Sequence, residues 1–86
     1  MKISVELTLT PLSDDFEIPI KSFIKRLRSG GFRVLENPLS TQIYGDYDNL
    51  MAFITDEIKA IFEDENSVML YMKIVKGDRS AYVPSF

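Results

Sequence analysis

Apolar and polar positions alternate strictly over residues 2–10: Ile3, Val5, Leu7 and Leu9 interleave with Lys2, Ser4, Glu6, Thr8 and Thr10. A period of two predicts a strand with one buried and one solvated face. Pro11 stops it. The turn "LSDDFE" then supplies helix-starting carboxylates, and Pro19 suits only the first turn of a helix, so a helix is predicted from near Ile18. Ile20, Phe23, Ile24 and Leu27 recur at helical spacing, Lys21, Lys25, Arg26 and Arg28 lie on the other side, and "SGG" closes the segment. The late basic residues complement the helix dipole.

The period returns to two in "FRVLE", with Phe32 and Val34 on one face and Arg33 and Leu35 on the other. Asn37-Pro38 turns the chain into a third strand, "STQIYG", and so short a connection makes the pair antiparallel. Asp46 or Asp48 is suited to cap a second helix, in which Leu50, Phe53, Ile54, Ile58, Ile61 and Phe62 form a stripe; "EDEN" ends it. "SVMLYMKIV" predicts a fourth strand, and residues 76–86, "KGDRSAYVPSF", read as a tail with turn signals.

The element order is β-α-β-β-α-β, an α+β, ferredoxin-like arrangement in one domain over residues 1–86. Right-handed crossovers give a four-stranded antiparallel sheet ordered 4-1-3-2 with both helices on one face. Ser40 and Thr41 then start the third strand beside the end of the first strand and the start of the first helix. Thr41 shares the parity of Ile43 and should face the helices. Thr41, the turn Ser13–Phe16 and the end of the second strand are expected to converge at one edge of the core. The open face is expected to carry Glu6, Thr8, Arg33, Leu35, Gln42, Tyr44, Met69 and Tyr71.

Composition narrows the chemistry. The chain has 86 residues, 45% of them hydrophobic and 27% charged, which suits a packed domain. A chain this short buries only roughly 60% of the surface it exposes unfolded, which favours self-association. With a net charge of −3 and its Lys and Arg scattered, it offers no phosphate-binding stripe, and nucleic acid is not an expected partner. It contains no Cys and no His, which excludes zinc sites, iron–sulfur clusters, thiol nucleophiles and histidine bases. No clearly paired carboxylates stand in for them, so a non-catalytic protein is expected. The alternating N-terminus matches neither a signal peptide nor a membrane span, and a cytoplasmic location is expected.

Two stretches carry a family likeness. "LTPLSDDFEIPIKSFI" and "LSTQIYGDYDNLMAFITDEIKAIF" resemble the signature segments of the YkoF-like family of thiamine and hydroxymethylpyrimidine binding proteins. The shared pattern is a strand ending in Pro, a hydroxyl-Asp-Asp-Phe turn into the first helix, and a Ser-Thr pair opening a strand that ends in Gly. The likeness spans about residues 3–79. It implies binding of thiamine or its pyrimidine moiety without conversion, in a thiamine salvage or transport role, with no metal and no cofactor beyond that ligand. It also implies a homodimer or higher homo-oligomer, because the family's tandem-domain member carries two such units in one chain.

The ligand-binding residues this implies are Ser40, Thr41, Asp14, Asp15, Phe16 and Ser13. An aminopyrimidine presents an amino donor beside ring-nitrogen acceptors; hydroxyls and carboxylates supply the partners, and Phe16 a flat apolar surface. A thiazolium cation favours acidic or aromatic neighbours. Taken singly, each feature also has a plain structural reading: Ser13 and the aspartates as turn and cap, Thr41 as an ordinary strand residue, Asp46 and Asp48 as caps, and Glu63, Asp64 and Glu65 as a solvated helix end. The competing class is a homo-oligomeric regulatory or interaction module with no small-molecule ligand.

Overall fold

The computed structural model describes residues 1–86. It consists of β1 (Lys2–Pro11), α1 (Glu17–Arg28), β2 (Arg33–Glu36), β3 (Thr41–Asp46), α2 (Tyr47–Asp64) and β4 (Val68–Lys76). The strands form one antiparallel sheet in the order β2-β3-β1-β4, the arrangement the alternation predicts. Ile3, Val5, Leu7 and Leu9 of β1 and Ile43 of β3 share one sheet face with Phe23 and Leu27 of α1 and Leu50, Ile54 and Ile61 of α2. Only 14 of the 86 residues are buried. Each of the apolar core side chains among them contributes about 1.5–3 kcal/mol, so the stability rests on few positions.

The register is fixed where the strands end. Tyr47 N–H donates to the Met1 carbonyl, Gly77 N–H to the Lys2 carbonyl and Leu12 N–H to the Ser67 carbonyl. Together with the pairings Ile3↔Gly45 and Ile3↔Lys76, these bonds mean that odd β1 residues point their backbone groups at β3 and even ones at β4. The side-chain alternation follows the same parity, so Ser4, Glu6 and Thr8 face away from the helices.

Gly45 makes room for an aromatic lid. A Cβ there would meet Phe32 Cδ1 at 2.7 Å. The Phe32 ring instead lies across Gly45 and against Phe53, with centroids 5.3 Å apart. This seals the end of the core beside the β3–α2 junction.

Three local expectations change. Asp46 occupies the N-cap position of α2 without a capping side-chain bond; its Oδ1 accepts from the Met1 ammonium at 3.1 Å, and Asp48 is the second residue of the helix, an acid of its first turn. The N-cap of α1 is Phe16, again without a side-chain bond, so neither Ser13 nor the aspartates cap that helix. Phe62 falls at the margin of its stripe and is exposed. The tail also starts pinned: Ser4 Oγ donates to the Gly77 carbonyl at 2.8 Å and accepts from Arg79 N–H at 2.8 Å, and Gly77 takes the left-handed φ of +103° that the turn requires.

Candidate functional site

One concavity opens between β1, the N-terminal half of α1 and the β2–β3 loop. Leu7 and Leu9 form its floor; Ile20, Phe23 and Ile24 hang from α1; and residues 37–41 form its mouth. Its volume is about 140 Å³. The mouth is held by its own hydrogen bonds. Asn37 Oδ1 accepts from the N–H groups of Leu39 at 2.8 Å and Ser40 at 3.0 Å, and Asn37 N–H donates to the Ser40 carbonyl at 3.1 Å. That closed Asx turn with Pro38 inside it leaves the loop little freedom. Thr8 Oγ1 ties the Leu39 carbonyl to β1 at 3.4 Å.

Thr41 stands at the inner wall, paired across the strands with Leu7 and only 6% exposed. Its hydroxyl makes no hydrogen bond within the chain. It is also not among the sealed, unpartnered polar atoms, of which Arg26 Nη1 is the one case, so its oxygen is not sealed off. A hydroxyl set in an apolar wall in this way keeps one donor and its acceptor lone pairs uncommitted.

Ser40 is placed differently. Strand parity divides the pair: Thr41 faces the helices, while Ser40 Oγ lies on the open side, donating to Glu6 Oε2 at 3.0 Å and accepting from Gln42 Nε2 at 2.6 Å. Lys73 Nζ continues this chain to Glu6 Oε1 at 3.7 Å. The main chain of Ser40 belongs to the mouth of the concavity, whereas its hydroxyl is committed to the other face.

The turn before α1 does not reach the cavity. Asp14, Asp15 and Phe16 line a separate hollow with Glu17 and Ile18, which shares no residue with the first one, and Ser13 lines neither. All four of Ser13–Phe16 are exposed. Both hollows border α1, one at Ile18 and the other at Ile20, residues that point to different sides of the helix. Sequence reasoning did not anticipate Asn37, Thr8 or the α1 residues Ile20, Phe23 and Ile24 as lining groups; the Asn-Pro dipeptide and the helix stripe were their signals.

At the far end of β2, Arg28 donates from Nε and Nη2 to the two oxygens of Glu36, each at 2.6 Å. This bidentate bond and the adjacent positive charge hold the Glu36 carboxyl below its ordinary range. Asp78 is likewise lowered, first by hydrogen bonds from Ser80 and then by the positive charges of Arg33 and Lys2. No group of three or more acidic side chains is clustered tightly enough to hold a metal ion. No helix is long and apolar enough to cross a membrane.

A family model of thiamine-binding proteins matches residues 5–81. Among solved structures, a Streptococcus pneumoniae protein superposes with a TM-score of 0.83 at 25% identity, over 91% of this chain and 89% of that one. A Thermotoga maritima protein, provisionally described as a thiamine biosynthesis/salvage protein, gives 0.78 at 18% identity over 86% of this chain and 82% of that one. A Methanocaldococcus jannascii protein of undescribed function gives 0.76 at 20% identity over 90% and 81%. No curated protein matches the sequence.

Proposed function

The chain belongs to the thiamine-binding protein family, and from that premise we propose that it holds thiamine, or the hydroxymethylpyrimidine half of it, without converting it. The Thr41 hydroxyl carries this reading. It is a nearly buried polar group with no protein partner, facing an open cavity. A ring nitrogen or amino group of an aminopyrimidine satisfies it, and Leu7, Phe23 and Ile24 enclose the flat ring.

Size favours the smaller half of the ligand. At about 140 Å³ the cavity is less than half the roughly 300 Å³ at which pockets for drug-sized molecules begin. It takes one ring, and the thiazolium of intact thiamine lies outside, toward the hollow at the start of α1. There Asp14 and Asp15 attract the cation and Phe16 offers a ring face, with the exposed Ser13 beside them in the same turn. In this reading Ser40 contributes its main chain at the mouth.

We place the chain in thiamine salvage or transport within the cytoplasm, acting as a homodimer. The homodimer is supported by the small core and by the apolar Leu35, Met69 and Tyr71 left on the open face. A thermal-shift series with thiamine, hydroxymethylpyrimidine and unrelated heterocycles tests the proposal. A ligand at 100 times its dissociation constant stabilises by about 2.7 kcal/mol, which for a domain of this size raises Tm by roughly 10–20 °C. Shifts for the two thiamine-related compounds alone support it; no shift with either leaves an interaction module.

A further inference from the structure

The sheet face turned away from the helices divides in two along β1. At one end Thr10 stands opposite Met69 and Thr8 opposite Tyr71, an apolar half. Further along, Glu6 lies between Gln42 and Lys73, and Ser4 between Tyr44 and Val75. Arg33 is the partner of Tyr44 across the next pair of strands and shares this second half. Lysines and arginines are scattered along the sequence, yet the register and the turn after β4 gather Lys73, Arg33 and Arg79 at one end of the sheet.

A buried serine places residue 79 there. Ser4 is only 7% exposed although its side chain faces away from the helices. Its hydroxyl donates to the Gly77 carbonyl and accepts from Arg79 N–H, which holds the turn after β4 over the sheet. Beneath that turn is a hollow of about 160 Å³, walled by Glu6, Gln42, Tyr44, Lys73 and Arg79. It shares no residue with the Thr41 cavity, and strand parity sets the two on opposite faces of the sheet.

The hollow holds more donors than acceptors. The Arg79 guanidinium and the Tyr44 hydroxyl make no hydrogen bond or ion pair within the chain. Gln42 gives one N–H to Ser40 Oγ and keeps the other. Glu6 is the one carboxylate in the wall; its Oε2 accepts from Ser40 Oγ at 3.0 Å, and its Oε1 lies 3.7 Å from Lys73 Nζ, too far for a hydrogen bond. Asp78 does not neutralise Arg79 either, because its Oδ1 accepts from Ser80 N–H at 2.9 Å. In a protein of net charge −3, this end of the sheet is a local cationic spot.

We propose that this hollow binds a phosphate group, free or as a small monoester. The Arg79 fork meets two oxygens side by side, and Lys73 Nζ and the Tyr44 hydroxyl meet the remaining ones. A tetrahedral anion turns an oxygen toward each of three donors carried on three different segments, which a planar carboxylate with two oxygens does less well. The loose contact with Glu6 leaves Lys73 free to turn to the anion. Nothing in this site depends on what the Thr41 cavity holds.

The test follows the whole chain by NMR while inorganic phosphate, and separately methyl phosphate, replaces chloride at constant ionic strength. Saturable shifts are expected at the Arg79 Nε–H, at the Gln42 side-chain amide and at the main-chain N–H groups of Glu6 and Tyr44. Arg79→Gln keeps the main-chain bond to Ser4 and should weaken phosphate binding about tenfold or more, the scale of charge-assisted hydrogen bonds. Lys73→Gln and Tyr44→Phe should each weaken it several-fold. Lys59→Gln, an equal loss of charge at an exposed position of α2, should leave it unchanged. All four positions lie outside the core, so each variant should keep the wild-type circular dichroism.

Tighter binding of methyl phosphate assigns the hollow to a monoester and tighter binding of inorganic phosphate to the free ion; either supports the proposal. Shifts that rise without saturating overturn it. So does an Arg79→Gln variant that binds as tightly as wild type, or a Lys59→Gln variant that loses as much affinity as Arg79→Gln.

Discussion

Replacing Thr41 by Val swaps one hydroxyl for a methyl at nearly constant shape, in a strand that favours both residues. The structure gives opposite signs for its two effects. Because the hydroxyl has no partner in the chain, its loss removes a polar group from a wall that is 6% exposed and breaks no internal hydrogen bond. Stability should therefore hold or rise by up to about 1 kcal/mol, a Tm at or above wild type by as much as roughly 4–8 °C. Binding moves the other way. A pyrimidine group left facing a methyl in a water-poor cavity loses about 1–3 kcal/mol, or roughly 5- to 150-fold in affinity. Calorimetry with hydroxymethylpyrimidine and a thermal melt read both quantities from one pair of proteins. A variant that melts several degrees lower and binds as tightly as wild type would instead make the hydroxyl an internal structural group with no part in binding.

Other expectations follow from particular contacts. Asn37→Ala removes the acceptor of two loop hydrogen bonds and should weaken hydroxymethylpyrimidine binding several-fold by loosening the mouth, with a stability loss of about 0.5–1.5 kcal/mol per bond in a urea melt. Ser40→Ala breaks the links to Glu6 and Gln42 on the open face, so it should lower the urea midpoint slightly and leave calorimetric affinity nearly unchanged. Gly45→Ala drives a methyl into the Phe32 ring and should cost about 1–3 kcal/mol, visible as a lower Tm. Glu36 has a depressed folded pKa, so its contribution is present above the unfolded carboxylate value of about 4.3 and is lost as pH falls through the lower folded value. Glu36→Gln should accordingly flatten that part of the acid limb of stability against pH.

The alternation of Ile3 to Leu9 and the stripe from Ile20 to Leu27 made strand, helix and sheet order legible, because parity and helical spacing are properties of local sequence. The same parity separates Ser40 from Thr41, since adjacent strand residues face opposite sides. Treating the two hydroxyls as a pair overlooked this. Ser13–Phe16 lay beyond reach for another reason. The path of a loop depends on which tertiary contacts hold its ends, and here Leu12 is drawn to Ser67 while α1 starts at Glu17. Asp46 had the composition of a cap, yet a competing ammonium from across the sheet took its carboxylate. Phe62 shows a limit of the stripe: helical spacing identifies an apolar face but not where the sheet beneath it ends.

Calorimetric titration of the wild-type chain with thiamine and with hydroxymethylpyrimidine, followed by mass analysis of the recovered ligand, asks whether the cavity beside Thr41 holds the pyrimidine of thiamine and leaves it unchanged. Both should bind saturably at one site per chain with affinities within about tenfold of each other, a gap of about 1.4 kcal/mol, and be recovered intact. Folded protein that gives no saturable heat with either compound, or that returns a cleaved product, would contradict it.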